Sequence, residues 1–492
     1  MKKRRRFHTA FSCAAAGLLL ASGFAAGAAG PIDWTECGID GAMGGTASAR
    51  CGWMEVPENR DDPASRGIRL RVTVIPALRL QPEKDALVIL AGGPGQAAND
   101  VYASASGAFA AIRRDRDIVL VDQRGTGQSN ALNCAFDDDA EILTTASQQL
   151  QDAARQCLAT LQGDPRFYTT SVAVRDLDDV RAALGYEAFS IYSVSYGTRV
   201  AQHYLRRYPS RVRAAILDGA VPVDLALGPD IALRAQNALD SVFQHCADDK
   251  LCAKAFPSVK EQFDALRARL QRQPLQVKLP DPLTAQVQQT SFGPMQLNAA
   301  VRLLTYSDET ASLLPLLIHQ AQTAQQPEPM VAQYMMVKRS MEQALSYGMH
   351  FAVVCSEDAP RWDLEKVSTA SLDATYLGAS FMVGMRAVCD IWPRGIVDDD
   401  FNAPLKSDAP VLILSGSNDP VTPAEYGQRA LASYPNGRHL VLAGQGHGQF
   451  ATGCMPRVLA AFVRGGTTAV ETKCLDGVKP APFMLSFTGA GP

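Results

Sequence analysis

The sequence predicts an α/β protein whose mainly parallel sheet is covered by helices on both faces and interrupted late by one large helical insertion. Three observations carry this. Short apolar runs recur through the first half of the chain and again near its end, as in buried strands. Segments of helical spacing separate most of them, the alternation that builds a parallel sheet. Between residues 217 and 411 the strand signals vanish and helical spacing takes over.

In chain order, the runs at 68–75, 86–90, 118–121, 189–192 and 214–217 read as strands, rich in Val, Ile and Leu. Two more, at 411–414 and 440–442, follow the insertion. Within the insertion, Val259, Phe263, Leu266 and Leu270 repeat on one helical face. The chain therefore divides into a leader at 1–28, a first core part at 29–223, a helical cap at 224–400 and a second core part at 401–492. The cap is expected to lie over the active site. Its methionines Met330, Met335, Met336, Met341 and Met349 are candidates for an apolar pocket lining, although core packing is the commoner role of methionine.

Lys2, Lys3, Arg4, Arg5 and Arg6 precede an apolar stretch that ends in Ala26-Gly27-Ala28, the form of an export leader cleaved before about residue 29. The stretch is shorter than the roughly 20 residues a membrane span needs, so no stable membrane insertion is expected. Without those five basic residues the formal charge of −3 becomes −8, because the leader holds no acid. An acidic chain of this kind argues against nucleic acid as a partner. Cys13 lies in the leader, which leaves ten cysteines in a chain bound for an oxidising compartment, periplasmic or extracellular. Pairing neighbours gives Cys37 with Cys51, Cys134 with Cys157, Cys246 with Cys252, Cys355 with Cys389, and Cys454 with Cys474. Free buried thiols and other connectivities are compatible with the same count. No CxxC spacing supports a metal site, and none is expected.

The decisive segment is Phe189-Ser-Ile-Tyr-Ser193-Val-Ser195-Tyr-Gly197, a strand that runs into a helix with a serine at the junction. A serine on so sharp a turn needs small residues two positions before and after, and Ser193 and Gly197 supply them around Ser195. Choosing Ser193 instead would put Ile191 at the crowded position. A serine hydroxyl needs an imidazole to take its proton and a carboxylate to orient that imidazole. Asp419 lies in the loop after the strand at 411–414, and His447 lies in Gly446-His447-Gly448 after the last strand. Asp218, which also ends a strand, is a rival for the acid, with a structural turn as its commoner role. For the oxyanion, the amide of Tyr196 and that of Gly92 or Gly93, in Gly92-Gly93-Pro94-Gly95, are the expected donors.

These segments resemble the proline iminopeptidase and tripeptidyl aminopeptidase family of α/β-hydrolases. The matching residues are Gly92 to Gly95, Asp122-Gln-Arg-Gly-Thr-Gly-Gln-Ser129, Ser195-Tyr196-Gly197, Asp419-Pro420 and Gly446 to Gly448. The end of the chain, His447 followed by Cys454 and Cys474, is similar to secreted tripeptidyl aminopeptidases. Ala91 stands where many members have histidine, and Ser193 where glycine is usual. The resemblance implies an α/β-hydrolase fold and a serine hydrolase without cofactor that releases residues or short peptides from free N-termini. A carboxylesterase using the same groups is the alternative, and a catalytically silent binding protein is a third reading that an intact triad opposes. The expected partner is a small peptide or ester. A substrate ammonium in an enclosed site needs a carboxylate, and Glu357 with Asp358, beside Cys355, are the candidates, with Asp308 and Glu309 as a second pair.

Overall fold

The computed structural model describes residues 32–41, 44–134, 147–363 and 369–490. The leader, including Cys13, lies outside the described residues. The strands are β1 (Asp33–Asp40), β2 (Thr46–Pro57), β3 (Gly67–Ile75), β4 (Ala86–Leu90), β5 (Ile118–Val121), β6 (Phe189–Val194), β7 (Val212–Asp218), β8 (Leu275–Pro280), β9 (Val287–Phe292), β10 (Val411–Gly416) and β11 (Gly437–Leu442). Nine of them form one sheet in the order β1-β2-β3-β5-β4-β6-β7-β10-β11. The pairs among β1, β2, β3 and β5 are antiparallel, and those from β5 across to β11 are parallel.

Alternation along each central strand divides its side chains between two cores. In β4, Val88 and Leu90 face one core while Leu87 and Ile89 face the other. In β10, Val411 and Ile413 likewise oppose Leu412 and Leu414. Every residue of both strands is buried, which is why they read as unbroken apolar runs. The sheet extends beyond the predicted strands at its antiparallel edge. There β1 has no buried residue and β2 mixes buried with exposed and half-buried ones, so both lack an unbroken apolar run.

The expectation of a strand-free insertion is corrected by the antiparallel hairpin β8–β9. Its second strand, Val-Gln-Gln-Thr-Ser-Phe, is mostly exposed and has no hydrophobic signature. The remainder between β7 and β10 is helical and has its own core, which includes Phe243, Phe263, Leu266, Leu270, Leu297 and Met330. Met335 joins that core and Met349 joins the core of the sheet, whereas Met336 is exposed. Disulfides join Cys37 to Cys51, Cys134 to Cys157, Cys246 to Cys252, Cys355 to Cys389, and Cys454 to Cys474. Among the described residues no helix is long and apolar enough to cross a membrane.

A buried polar clamp joins the insertion to the helix Tyr196–Arg207 that follows β6. Arg199 donates to both oxygens of Asp358, at 2.9 and 2.8 Å, and lies 3.6 Å from Glu357. Glu357 accepts from the Thr170 amide at 2.7 Å and from its hydroxyl at 3.0 Å. Burial pushes the Glu357 carboxyl from its ordinary 4.5 up to about 7, against the pull of Arg199 and the Thr170 amide. An acid raised on folding makes the folded state bind more protons between those values, so stability falls as pH rises through that window. Glu357→Gln should remove that part of the slope. In urea denaturation between pH 4.5 and 7.5, the midpoint of the variant is expected to gain on that of the parent as pH rises. A constant difference would show that Glu357 is not held protonated.

Candidate active site

Ser195 stands at the junction of β6 and its helix with φ 56° and ψ −126°, a backbone conformation that a non-glycine residue adopts only under strong constraint. The constraint is visible two residues on. A Cβ at Gly197 would lie 2.4 Å from the Leu90 carbonyl oxygen and 2.6 Å from that of Ala91, so only glycine fits. On the other side Ser193 is fully buried, and its hydroxyl donates to the Ile216 carbonyl at 2.7 Å. The turn is also pinned across the sheet, because the Ser195 amide donates to the Asp218 carbonyl at 2.8 Å.

The loops after β10 and β11 bring Asp419 and His447 together. Asp419 is buried, and one of its oxygens accepts from the amides of Val421 and Thr422, each at 2.8 Å. The other accepts from the Thr422 hydroxyl at 2.9 Å and from His447 Nδ1 at 2.7 Å. Burial works against ionisation of both groups. Their mutual attraction and hydrogen bond prevail, holding the Asp419 carboxyl below and the His447 imidazole above their ordinary values. With Nδ1 directed to Asp419, Nε2 is the ring nitrogen free to receive a proton. Gly219 leaves room for the ring, since a Cβ there would lie 3.1 Å from His447 Cε1.

Gly92 lies against the serine, where an added Cβ would be 3.1 Å from Ser195 Cβ. Gly93, at φ 107°, precedes a cis bond to Pro94. Tyr196 opens its helix, so its N–H has no acceptor within that helix. Its hydroxyl instead hydrogen-bonds Thr170 Oγ1 at 2.7 Å and accepts from Gln123 Nε2 at 3.0 Å.

Ser195 and His447 both line a cavity of about 780 Å³ between these loops and the insertion, and so do Gly93 and Tyr196. Asp218 does not reach the histidine ring. It accepts from the Gln449 amide at 2.9 and 2.8 Å and from the Tyr192 hydroxyl at 2.8 Å, which fixes the backbone two residues beyond His447. Burial raises its carboxyl to about 6.

The amine-binding expectation for Glu357 and Asp358 is corrected. Both are buried in a π-helical turn, Val354–Asp358, where the Arg199 clamp engages them, and neither lines the cavity. Asp308 and Glu309 are also absent from its lining, and Asp308 accepts from Gln445 Nε2 and the Ala481 amide. The carboxylates that do line it are Asp100 and Glu342, the latter 3.7 Å from Lys338. Met341 is the predicted methionine found there. Sequence reasoning missed three further lining residues, all from the insertion. Tyr306 accepts the His447 amide on its carbonyl at 2.6 Å and sets its ring edge-on to the imidazole. His350 Nδ1 bonds the Pro94 carbonyl at 3.2 Å. Arg302 is the third. Among the described residues no group of three or more His, Cys, Asp or Glu side chains is placed to hold a metal ion.

The family model for the alpha/beta hydrolase fold matches residues 85–453. The chain is similar to serine protease Hip1 of Mycobacterium tuberculosis, 27% identical over 487 residues that cover 89% of each chain. It is also similar to the tripeptidyl aminopeptidase of Streptomyces lividans, 30% identical over 39% of this chain and 38% of that one. A third relative is carboxylesterase B of M. tuberculosis, 30% identical over 42% of this chain and 43% of that one.

The two strand-end aspartates can be separated by substitution. Asp419→Asn should lower kcat by about 10⁴ through loss of the imidazole tautomer. Asp218→Asn should mainly destabilise the fold, by about 1 to 3 kcal/mol, because a buried acceptor site is lost. A larger kcat loss for Asp218→Asn, in protein shown folded by circular dichroism, would exchange their roles.

Proposed function

Because the chain belongs to the α/β-hydrolase fold family, whose relatives here include proteins named as serine protease and tripeptidyl aminopeptidase, we propose that it is an exported exopeptidase acting through Ser195. The observation that carries this reading is that Ser195, on its constrained turn, shares one cavity with an imidazole whose Nδ1 is bound to Asp419. The Ser195 hydroxyl passes its proton to His447 Nε2 as its oxygen adds to the substrate carbonyl. The resulting oxyanion is held by the amides of Tyr196 and of Gly92 or Gly93. Collapse breaks the peptide bond, His447 gives its proton to the leaving amine, and the acyl group stays on Ser195 as an ester. Water, deprotonated by His447, then releases the acid and restores the serine.

An exopeptidase is favoured over an endopeptidase because insertion residues, among them Tyr306, Met341 and His350, line the same cavity as Ser195 and restrict its room for a long chain. For a substrate ammonium, Asp100 on the cavity wall is the proposed partner. Export is supported by the basic and apolar leader and by five disulfides, which persist in oxidising compartments. A carboxylesterase using the same acyl-enzyme is the second reading, supported by the relative of that name.

Ser195→Ala should abolish turnover and labelling by a fluorophosphonate while the protein stays folded. A panel of free-amine and N-blocked peptide anilides and simple esters then tests the substrate class. Preference for the free-amine peptides supports the exopeptidase, and preference for esters the alternative. The base must be neutral to act, and His447 is held above the ordinary 6.5 of an imidazole. The acid limb of kcat/KM should therefore show an inflection above that value, with activity rising through it as pH increases. An inflection below it would mean that Asp419 does not stabilise the protonated ring.

A further inference from the structure

Arg302 is only 7% exposed and lines the cavity that holds Ser195 and His447. Among the described residues its side chain makes no hydrogen bond or ion pair, and its Nε is buried without a partner. Its guanidinium carbon lies over the Phe381 ring at 5.0 Å, a contact that leaves the edge donors unused. The Tyr376 hydroxyl is also buried without a partner and is close enough to feel the Arg302 charge. A bond between that oxygen and Nε would still leave both Nη groups and the full positive charge uncompensated. An enclosed cation is costly unless an anion meets it, and a guanidinium edge matches a carboxylate with two parallel bonds.

We propose that Arg302 binds a carboxylate of the substrate. The site rests on the reading of this cavity as the active site and narrows it to substrates that carry a negative charge near the scissile bond. Arg302 lies near the end of the helix Pro294–Leu304, which stops just before Tyr306, the residue in contact with His447. The bound carboxylate therefore belongs to a part of the substrate held in the same cavity as the reacting carbonyl. It is either the C-terminal carboxylate of a short peptide or an acidic side chain in the acyl part. With Asp100 lining the same cavity, the first source describes a short peptide whose two termini are both free.

The test compares Arg302→Met and Arg302→Lys with the parent on matched pairs. Tetra-alanine against its C-terminal amide probes the terminal source, and Ala-Ala-Glu against Ala-Ala-Gln p-nitroanilide probes the side-chain source. Calorimetric binding of tetra-alanine, of its amide and of both anilides to Ser195→Ala, with and without Arg302→Met, reads the site independently of turnover. Arg302→Met is expected to lower kcat/KM and affinity about 10- to 100-fold for the acidic member of one pair, the scale of a charge-assisted bidentate contact, and less than threefold for its neutral partner. Arg302→Lys should recover part of the loss. Labelling by a neutral fluorophosphonate should be unchanged, which shows the site intact. Equal effects on both members of each pair, or no preference of the parent for either acid, would overturn the proposal. Failure of the parent to label with the fluorophosphonate would instead overturn the serine-hydrolase reading of the cavity, while the binding comparison still decides the role of Arg302.

Discussion

The close approach of the helix Tyr196–Arg207 to the end of β4 is the constraint on which the site depends. With 2.4 Å between an added Cβ at Gly197 and the Leu90 carbonyl, no larger residue leaves helix and strand in place. The turn between β6 and that helix must then be abrupt, and Ser195 takes the strain as a positive φ. The same crowding brings Gly92, two residues past Leu90, against the serine. One steric condition thus sets Ser195, the first amide of the helix and the glycine loop at the same time. Preorganisation of this kind matters because donors already in place need no rearrangement when charge develops on the substrate.

That helix also carries the insertion. Arg199 holds Asp358 and Glu357, Ser346 donates its amide to the Gly95 carbonyl at 3.0 Å, and the Tyr306 carbonyl receives the His447 amide. Each contact falls on or beside one of the loops that supply chemistry. A buried ion pair contributes little net stability compared with an apolar substitute, but removing one partner is costly, so such a pair acts chiefly to fix geometry. The insertion is accordingly more than a cover over the strand ends. It is positioned by the elbow helix and in turn supports the glycine loop and the histidine loop.

The parts legible in the sequence are those where burial leaves a local trace. β4, β5, β6, β7 and β10 show as apolar runs because both faces are covered, and the Ser195 and Asp419 loops follow directly from β6 and β10, whereas the His447 loop follows the partly exposed β11. The edge strands β1 and β2 are hidden because a half-exposed strand alternates polar with apolar residues, and β9 because it is nearly all polar. The misreading of Glu357 and Asp358 has a different cause. Their place beside a cysteine is visible in the sequence, but the direction of their side chains depends on Arg199, more than 150 residues away, and on a π-helical turn that no local pattern announces. Arg302, Tyr306 and His350 are hidden for the same reason, since only tertiary packing brings them to the cavity.

The two walls of the cavity therefore differ in kind. One is made of loops at the ends of β4, β6, β10 and β11, and its groups are those that any acyl transfer requires. The other is made of insertion side chains, with Met341 apolar, Tyr306 aromatic and Arg302 cationic. On the proposed mechanism Ser195, His447 and the amide donors meet the transition state of every substrate, so they would set the rate but discriminate little. Arg302, in the role proposed for it, would meet a part of the substrate that does not react, and its buried charge would penalise any ligand that cannot neutralise it. Discrimination of this sort arises from leaving a polar group unpaired when the wrong ligand binds, which is the stronger of the two ways a pocket can select. On these proposals reaction type rests with the sheet and much of substrate choice with the insertion, and the second could change without disturbing the first as long as the contacts at Arg199, Gly95 and His447 persist.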